Sequence, residues 1–191
     1  MSNLRMAAAN YRESDDATLI KASLSGDKLA FTEIVHRYRG MVARTVKGMI
    51  GDNAFAEDVG QEVFIKLYHS LRDFRGESKL STYLHRITVN ITLNEIKRNR
   101  RMNAPGQADE LDSLRPAILA GEDLVSRSET KELVEKALQM LEPRYRIVIV
   151  MRMLQGYDTK ETAEALGLPV GTVLSRLSRA QEQMRKILKA I

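Results

Sequence analysis

The stretch that decides the fold lies near the C-terminus, at residues 158–184, and reads DTKETAEALGLPVGTVLSRLSRAQEQM. Its first residue, an aspartate, precedes Glu161 by three positions, which is the capping-box spacing at the start of a helix. Ala163 is small enough for close contact between two helices, and Gly167 can take the positive φ of a tight reversal. Val173 is placed to fill the shared core. The stretch therefore predicts a short helix, a glycine turn and a longer helix, which together form a helix-turn-helix.

The second helix of this motif carries a polar and basic outward face. Arginine can read guanine with two hydrogen bonds, and serine or threonine can contact a phosphate or a base. A plain αα-hairpin with a solvated basic face is the alternative. DNA binding is favoured because the basic residues coincide with the exposed face. The candidate DNA-contacting side chains are Thr172, Ser175, Arg176 and Arg179.

Composition excludes several function classes. The chain has 191 residues and no cysteine, which removes disulfides, thiolate nucleophiles, zinc fingers and Fe–S clusters. Its three histidines fall on separate predicted faces, and no paired nucleophile and base or phosphate-binding glycine loop is visible. Of the functions considered for this chain, an enzymatic one is therefore the least favoured, and no cofactor or metal is expected. No apolar run approaches the roughly 18 residues of a membrane span. The N-terminal residues contain no long apolar core, so no secretory signal is expected and a cytoplasmic protein is predicted.

Charge divides the chain into blocks. The formal net charge is +5, made of +5 over residues 31–104, −4 over 105–130 and +4 over 131–191. We interpret 105–130 as a flexible acidic linker. Its negative charge would be repelled by a polyanion, whereas the basic blocks on either side would be attracted to it. An ordinary surface loop is the alternative. The predicted organisation is a tail at 1–14, a domain at 15–104, the linker, and a second domain at 131–191. Cutting the linker is expected to release two separately folded pieces.

Helical periodicity dominates the rest of the sequence, so an all-α fold is predicted. One segment, 81–101, is ambiguous. Ile87, Val89 and Ile91 alternate with polar residues as in a strand, while Leu84, Ile87 and Ile91 fit one face of a helix equally well. The helix is slightly favoured because no neighbouring strand is evident to pair with.

The order and spacing of several motifs carry a family resemblance. In the first basic block they are DVGQEVFIK at 58–66, FRG at 74–76, STYLHRI at 81–87 and KRNRR at 97–101; in the second, LEP at 141–143 and LPVGTV at 168–173. With these motifs the chain resembles an extracytoplasmic-function (ECF) sigma factor, in the sigma-70 family of bacterial transcription initiation factors. The resemblance implies that 15–104 is the family's region 2 bundle, that 131–191 is its region 4 helix-turn-helix domain, and that 81–101 is a helix.

The resemblance also implies roles for individual residues. The helix at 58–66 would dock on core RNA polymerase, although a solvated acidic face near a helix N-terminus remains the alternative. The loop from Phe74 to Leu80 would capture a base flipped from the −10 strand. The helix after it would contact the backbone there, and residues 170–184 would read the −35 element. The polymerase-binding candidates are Asp58, Gln61, Glu62, Ile65 and Lys66; the −10 candidates are Phe74, Arg75, Ser78, Lys79, Arg86, Asn90, Lys97, Arg98, Arg100 and Arg101.

The function implied is that of a promoter-specificity subunit without enzymatic activity. It would direct core polymerase to promoters, recognise the −10 and −35 elements and assist melting, under control of an anti-sigma factor that is often anchored in the inner membrane. The second functional hypothesis is a free-standing helix-turn-helix repressor or activator. This chain departs from the family at Tyr83, where tryptophan is common; the favoured interpretation is that Tyr83 is an aromatic residue of the core. It also departs at Leu174 and Gln181, where basic residues are common.

Overall fold

The structure is a computed structural model that describes residues 11–103 and 127–191. Within these ranges the chain is helical and contains no β-strand, which confirms the all-α prediction. A 3₁₀ turn lies at Leu71–Asp73, and a π-helical turn at Val150–Leu154 continues the sixth helix. The α-helices of the described ranges are α1 (Asp16–Leu24), α2 (Lys28–Ile50), α3 (Ala54–Ser70), α4 (Leu80–Asn103), α5 (Arg127–Met140), α6 (Pro143–Ile149), α7 (Thr159–Leu166) and α8 (Val170–Ala190).

Helices α1 to α4 form the N-terminal domain. Short polar side chains begin its helices: Asp15 accepts a hydrogen bond from the Thr18 amide at 2.8 Å, and Asn53 accepts one from the Ala56 amide at 3.0 Å. Such caps satisfy backbone donors that have no partner within the helix. The apolar stripes that the sequence predicted meet in one core, whose fully buried members include Leu19, Ile34, Val42, Val46, Val63, Leu67 and Leu84.

The ambiguous segment is a helix, α4, as the family resemblance implied. Its threonines fit a helix because their hydroxyls bond backward along it: Thr88 Oγ1 donates to the Leu84 carbonyl at 2.8 Å, and Thr92 Oγ1 to the Thr88 carbonyl at 2.7 Å. This bonding allows buried threonine to remain in a helix interior. The strand-like alternation was therefore produced by buried threonines that pack on the core.

The C-terminal domain contains α5 to α8, and α7 and α8 form the predicted helix-turn-helix. The capping box is present, with the Glu161 amide donating to Asp158 at 2.8 Å, and this hydrogen bond holds the pKa of the Asp158 carboxyl below its usual range. Gly167 ends α7 with φ of 62°, and the Leu168 amide that follows donates to the Ala163 carbonyl. Val173 is fully buried. All the local signals read from residues 158–184 are confirmed.

The acidic linker predicted over 105–130 lies outside the described residues except at its end. There α5 begins at Arg127, so the last residues assigned to the linker are helical. The difference arises because the assignment followed charge, whereas α5 continues through residues of good helix propensity toward Val134 and Leu138, which pack in the C-terminal core. The division into two separately folding domains stays a prediction.

Candidate nucleic-acid interface

The recognition helix α8 presents a mixed polar face. Ser175 and Arg179 are exposed, while Thr172 and Arg176 are partly buried. Ser175 Oγ donates to the Thr172 carbonyl at 3.0 Å, so in this structure that hydroxyl is held against its own helix. Buried Val173, Ala180 and Met184 lie on the other side of α8 and attach it to the domain. The four predicted residues therefore lie on the helix surface that a DNA groove can reach, with Arg176 nearest to the rest of the protein.

Two apolar residues on α8 were not predicted as site residues. Val170 is 44% exposed and Leu174 is 52% exposed, and their four-residue spacing places them on one side of the helix. Apolar side chains of this kind contact the methyl group of thymine in a major groove. The sequence could have indicated this pair, because Val170 and Leu174 lie four residues apart on the same predicted helix as the serine and arginine residues that follow them. The family pattern marks Leu174 only as a departure and assigns it no contact.

Helix α4 carries the main cationic face of the N-terminal domain. Arg86, Asn90, Lys97 and Arg101 are all exposed, and their spacing keeps them along one side of the helix. The Arg86 guanidinium donates to the Glu164 carbonyl of α7 at 3.1 Å. One of the predicted −10 residues is thus engaged by the C-terminal domain in this structure.

The other two arginines of the KRNRR motif differ in their surroundings. Arg98 is 62% exposed at its side chain and forms an ion pair of 2.8 Å with Glu95, which is nearly buried. Part of the positive charge of Arg98 is therefore already offset within α4. The side chain of Arg100 lies outside the described residues.

The loop between the 3₁₀ turn and α4 is anchored by aromatic packing. The Phe74 and Tyr83 rings lie 5.0 Å apart, and the Tyr83 hydroxyl donates to the Ser70 carbonyl at 3.3 Å. Both rings pack against the N-terminal core, as favoured for Tyr83 from the sequence. A shallow cavity of about 420 Å³ lies between α1 and residues 74–76. Of the other predicted loop residues, Arg75 and Lys79 are exposed and Ser78 is partly buried.

The predicted polymerase-docking face lies on α3. All five of its residues, Asp58, Gln61, Glu62, Ile65 and Lys66, are exposed. Ile65 is 58% exposed, and Tyr68 on the same face is 52% exposed, with its ring edge-on to Phe31 at 4.9 Å. Large apolar side chains among carboxylates and amides are typical of a protein contact surface. Tyr68 was not among the predicted site residues, although it follows Ile65 by one helical turn.

The structure brings the two cationic helices together. Asn90 and Lys97 of α4 and Arg176 of α8 line one cavity of about 230 Å³, whose floor is apolar. By contrast, the described residues contain no cluster of histidine and acidic side chains that could hold a metal ion. None of the helices in 11–103 or 127–191 combines the length and apolar character that crossing a bilayer requires.

Family models match both halves of the chain: "Sigma-70 region 2" covers residues 34–102, and "Sigma-70, region 4" covers 131–184. Among curated proteins, the ECF RNA polymerase sigma factor SigW of Bacillus subtilis is 32% identical over 89% of this chain and 95% of its own length. The ECF RNA polymerase sigma-E factor of Escherichia coli K12 is 34% identical over 87% of this chain and 91% of its own.

Solved structures show the same fold at lower identity. CnrH, in complex with the cytosolic domain of CnrY, gives a TM-score of 0.66 at 24% identity and covers 92% of this chain and 97% of CnrH. RpoE of Bartonella quintana, in complex with the anti-sigma factor NepR, gives 0.63 at 24% identity, over 83% of this chain and 96% of its own. Together with the family models and relatives, the two helical domains and their exposed faces identify the chain as a member of the ECF group of the sigma-70 family, transcription initiation factors that are not enzymes and that direct RNA polymerase to promoters.

Proposed function

We propose that the three exposed faces divide the work of promoter recognition. The α3 face binds core polymerase, the loop at 74–79 with the cationic face of α4 binds the −10 element, and α8 reads the −35 element. The observation that carries this division is the contrast in surface chemistry. Helices α4 and α8 expose cationic side chains, whereas α3 exposes carboxylates with Ile65 and Tyr68. Phosphates attract the first kind of surface and a protein partner fits the second.

The cavity beside the loop offers a place for an unstacked base. It is lined by the apolar side chains of Ile20, Leu24 and Phe74 and by the polar or charged ones of Lys21 and Arg75. A flipped base needs an apolar surface for its face and hydrogen-bonding groups for its edge. Each stacked base offsets about 1–3 kcal/mol of the cost of strand separation, so capture here would assist melting without ATP.

The direct experiment is run-off transcription with purified, sigma-free core polymerase and a promoter library. We expect transcripts that start at defined sites, from templates sharing one −10 and one −35 sequence. A free-standing repressor would instead bind a duplex operator alone. If no template yields a defined start in the presence of this protein, the proposed function is wrong.

Replacing Gln61 and Glu62 together by alanine is expected to weaken binding to core polymerase about tenfold or more, equivalent to roughly 1.4 kcal/mol per decade. Both side chains are exposed on α3, so their loss leaves no buried group without a partner. Affinity for core polymerase can be measured by fluorescence anisotropy of the labelled protein. Glu132→Ala, which removes an exposed carboxylate from the other domain, is the control. Equal affinities for the double variant and the wild type would contradict the α3 assignment.

Replacing Arg176 by alanine is expected to cost about 1–3 kcal/mol of promoter binding and to relax selectivity at one −35 position, if Arg176 reads a base. The measurement is open-complex formation on templates carrying every single-base change in the −35 element. Arg185→Ala removes an exposed arginine two to three turns further along α8 and serves as the control. A uniform loss on all templates would mean that Arg176 contacts a phosphate and does not select a base.

We also propose that this protein acts in the cytoplasm, where RNA polymerase and promoter DNA are found, and that an anti-sigma factor regulates it. The support for such a partner is that RpoE of B. quintana, a neighbour in fold, was captured in complex with the anti-sigma factor NepR. Nothing in the described residues identifies the partner of this chain. Affinity purification of the tagged protein from its own cells, with mass spectrometry, is the test: recovery of core polymerase alone would contradict the anti-sigma proposal.

A further inference from the structure

Leu174 stands on the exposed side of α8 among small, uncharged neighbours. Its side chain is 52% exposed. Residues three and four positions apart are neighbours on a helix surface, and the exposed neighbours of Leu174 at these spacings are Val170, Gly171 and Ser178. A Cβ built on Gly171 would meet nothing within 4 Å, so the surface beside Leu174 is open. Of these four residues Leu174 has the longest side chain, and it is the first that an approaching molecule meets.

The position of Leu174 along α8 is one from which bases can be reached. In a helix-turn-helix, the N-terminal residues of the second helix contact base edges in the major groove. Helix α8 begins at Val170, so Leu174 is its fifth residue. Ser175 follows Leu174 directly, and both it and Arg179 are exposed. An apolar side chain that lies among candidate DNA-contacting residues enters the same groove as they do.

A single exposed leucine needs no functional explanation, and Leu188 at the other end of α8, 40% exposed, is an example. Leu174 differs because it is paired with Val170, which is 44% exposed and lies one helical turn before it. The pair is also much smaller than a protein contact surface, which buries about 800 Å² on each partner. Two apolar side chains at the start of a recognition helix therefore fit small apolar groups in a groove better than they fit a protein surface.

The chemistry of leucine limits what it can recognise in a major groove. Leucine carries no charge and no hydrogen-bonding group, so it can bind neither a phosphate nor the donors and acceptors of a base edge. The apolar group that the bases present in this groove is the C5 methyl of thymine. Cytosine and the two purines offer only polar edges there. An apolar side chain in this place therefore selects thymine.

The spacing of Val170 and Leu174 sets how far apart two such thymines can be. Four residues of α-helix rise about 6 Å at 1.5 Å per residue. Successive bases along one strand of B-DNA are separated by about 3.4 Å. A recognition helix that lies along the groove therefore places the two side chains about two base steps apart. The methyl groups can belong to either strand, because both strands present their base edges in the major groove.

We propose that Leu174 selects a thymine in the −35 element by contact with its C5 methyl group, and that Val170 contacts the methyl group of a second thymine about two base steps away. This inference rests on the proposed function, because it takes the −35 element as the DNA that α8 binds. It divides the reading of bases on α8 into two kinds. Arg176 supplies hydrogen bonds to a base edge, and Leu174 supplies the apolar contact.

The test replaces each thymine of the −35 element, on both strands and one at a time, by deoxyuridine. Uracil keeps the hydrogen-bonding atoms of thymine and lacks only the methyl group. The measurement is the apparent affinity of the holoenzyme, full chain with core polymerase, for a promoter found in the run-off experiment. At one position or two, uracil should weaken binding about fourfold, the effect of exposing one buried methyl group. A −35 element without a uracil-sensitive thymine would overturn the inference.

A protein variant separates direct contact from any effect of uracil on DNA shape. Leu174→Ser shortens an exposed side chain, so the fold should be retained, and Ser175 beside it shows that α8 accepts exposed serine. If Leu174 touches the methyl group, the uracil effect at that position should fall below about 1.5-fold in the variant, because contacting groups are not additive. Leu188→Ser is the matched control and should keep the full fourfold effect. An undiminished uracil effect in Leu174→Ser would show that another group reads the methyl.

A second variant tests whether residue 174 reaches the DNA at all. Leu174→Arg adds a cation at this place, so it should abolish the uracil effect and bind phosphate or guanine instead. The slope of log affinity against log salt should become steeper by about one, as for one added phosphate contact. An unchanged slope together with a retained uracil effect would overturn the inference.

The outcomes distinguish this inference from the proposed function on which it rests. Absence of any defined start site with the wild type would contradict the proposed function, and the inference with it. Defined start sites on promoters whose thymines all tolerate uracil would contradict the inference alone. Affinity of Leu174→Ser for core polymerase, measured by fluorescence anisotropy without DNA, should equal that of the wild type. A loss there with no change in the uracil effect would mean that Leu174 contacts a protein, which would also overturn the inference.

Discussion

Replacing Arg146 by methionine is expected to lower the free energy of unfolding by about 3 kcal/mol or more. Arg146 is 6% exposed, and its guanidinium donates at 2.7 Å both to the Leu141 carbonyl and to Gln139 Oε1. It also donates to the backbone carbonyl of Gln139, near the end of α5, where helical carbonyls have no partner within the helix. Methionine fills similar space but leaves these acceptors buried without a donor.

Urea denaturation of the full chain, followed by circular dichroism, measures this effect. Arg185→Met is the matched control, because Arg185 is exposed on α8 and its loss should change stability by less than about 0.5 kcal/mol. A loss below about 1 kcal/mol for Arg146→Met would show that water or a rearranged α5–α6 turn satisfies the carbonyls. Because Arg146 also reaches Met49 in the N-terminal domain, the variant should unfold with weaker coupling between the domains.

The part of the fold that was predictable from sequence is local. The helix-turn-helix depends on signals within a few residues, such as the cap at Asp158 and the positive φ of Gly167, and both occur as predicted. The segment at 81–101 was less clear, because its threonines satisfy their hydroxyls on backbone carbonyls that a pattern of apolar residues does not reveal. The family resemblance supplied the information that periodicity lacked.

The contact between domains was not predictable, because its residues have no distinctive local signal. Arg146 stands among the charged residues of the segment EPRYR and was not distinguished from its neighbours, yet it is buried. Gly48 resembles any glycine in a helix until Val150 is placed against it. These contacts join residues about a hundred positions apart, and only the three-dimensional arrangement reveals what each one needs.

Stability should also fall with acidification because of one buried histidine. His85 of α4 is fully buried, and its ring lies edge-on to that of Tyr157 in the C-terminal domain at 4.6 Å. Neither ring nitrogen has a hydrogen-bond partner among the residues that the structure describes. Burial, which penalises the charged form, and to a lesser extent the positive charge of Arg44 lower the pKa of His85 from 6.5 to about 4. His85 is therefore neutral in the folded protein at neutral pH.

The direction of the pH effect follows from this lowered pKa. Between pH 6.5 and about 4 the unfolded chain binds a proton at His85 that the folded chain does not, so folding stability decreases as pH falls through that window. The contribution is complete above pH 6.5, and about 3 kcal/mol of it is lost by pH 4, at 1.36 kcal/mol per pKa unit. Since the ring also packs on Tyr157, protonation should loosen the domain contact together with the N-terminal core.

His85→Phe should flatten the dependence of unfolding free energy on pH between 6.5 and 4, because phenylalanine keeps the edge-on contact with Tyr157 and cannot take up a proton. Carboxylates such as Asp27 and Asp158, whose pKa values are held below the usual range by hydrogen bonds, destabilise wild type and variant alike on acidification. The difference between the two profiles therefore isolates His85. His36→Phe, at an exposed position of α2, controls for loss of a histidine as such. Parallel wild-type and His85→Phe profiles across this window would mean that water reaches the ring, and that acid acts on this protein through its carboxylates alone.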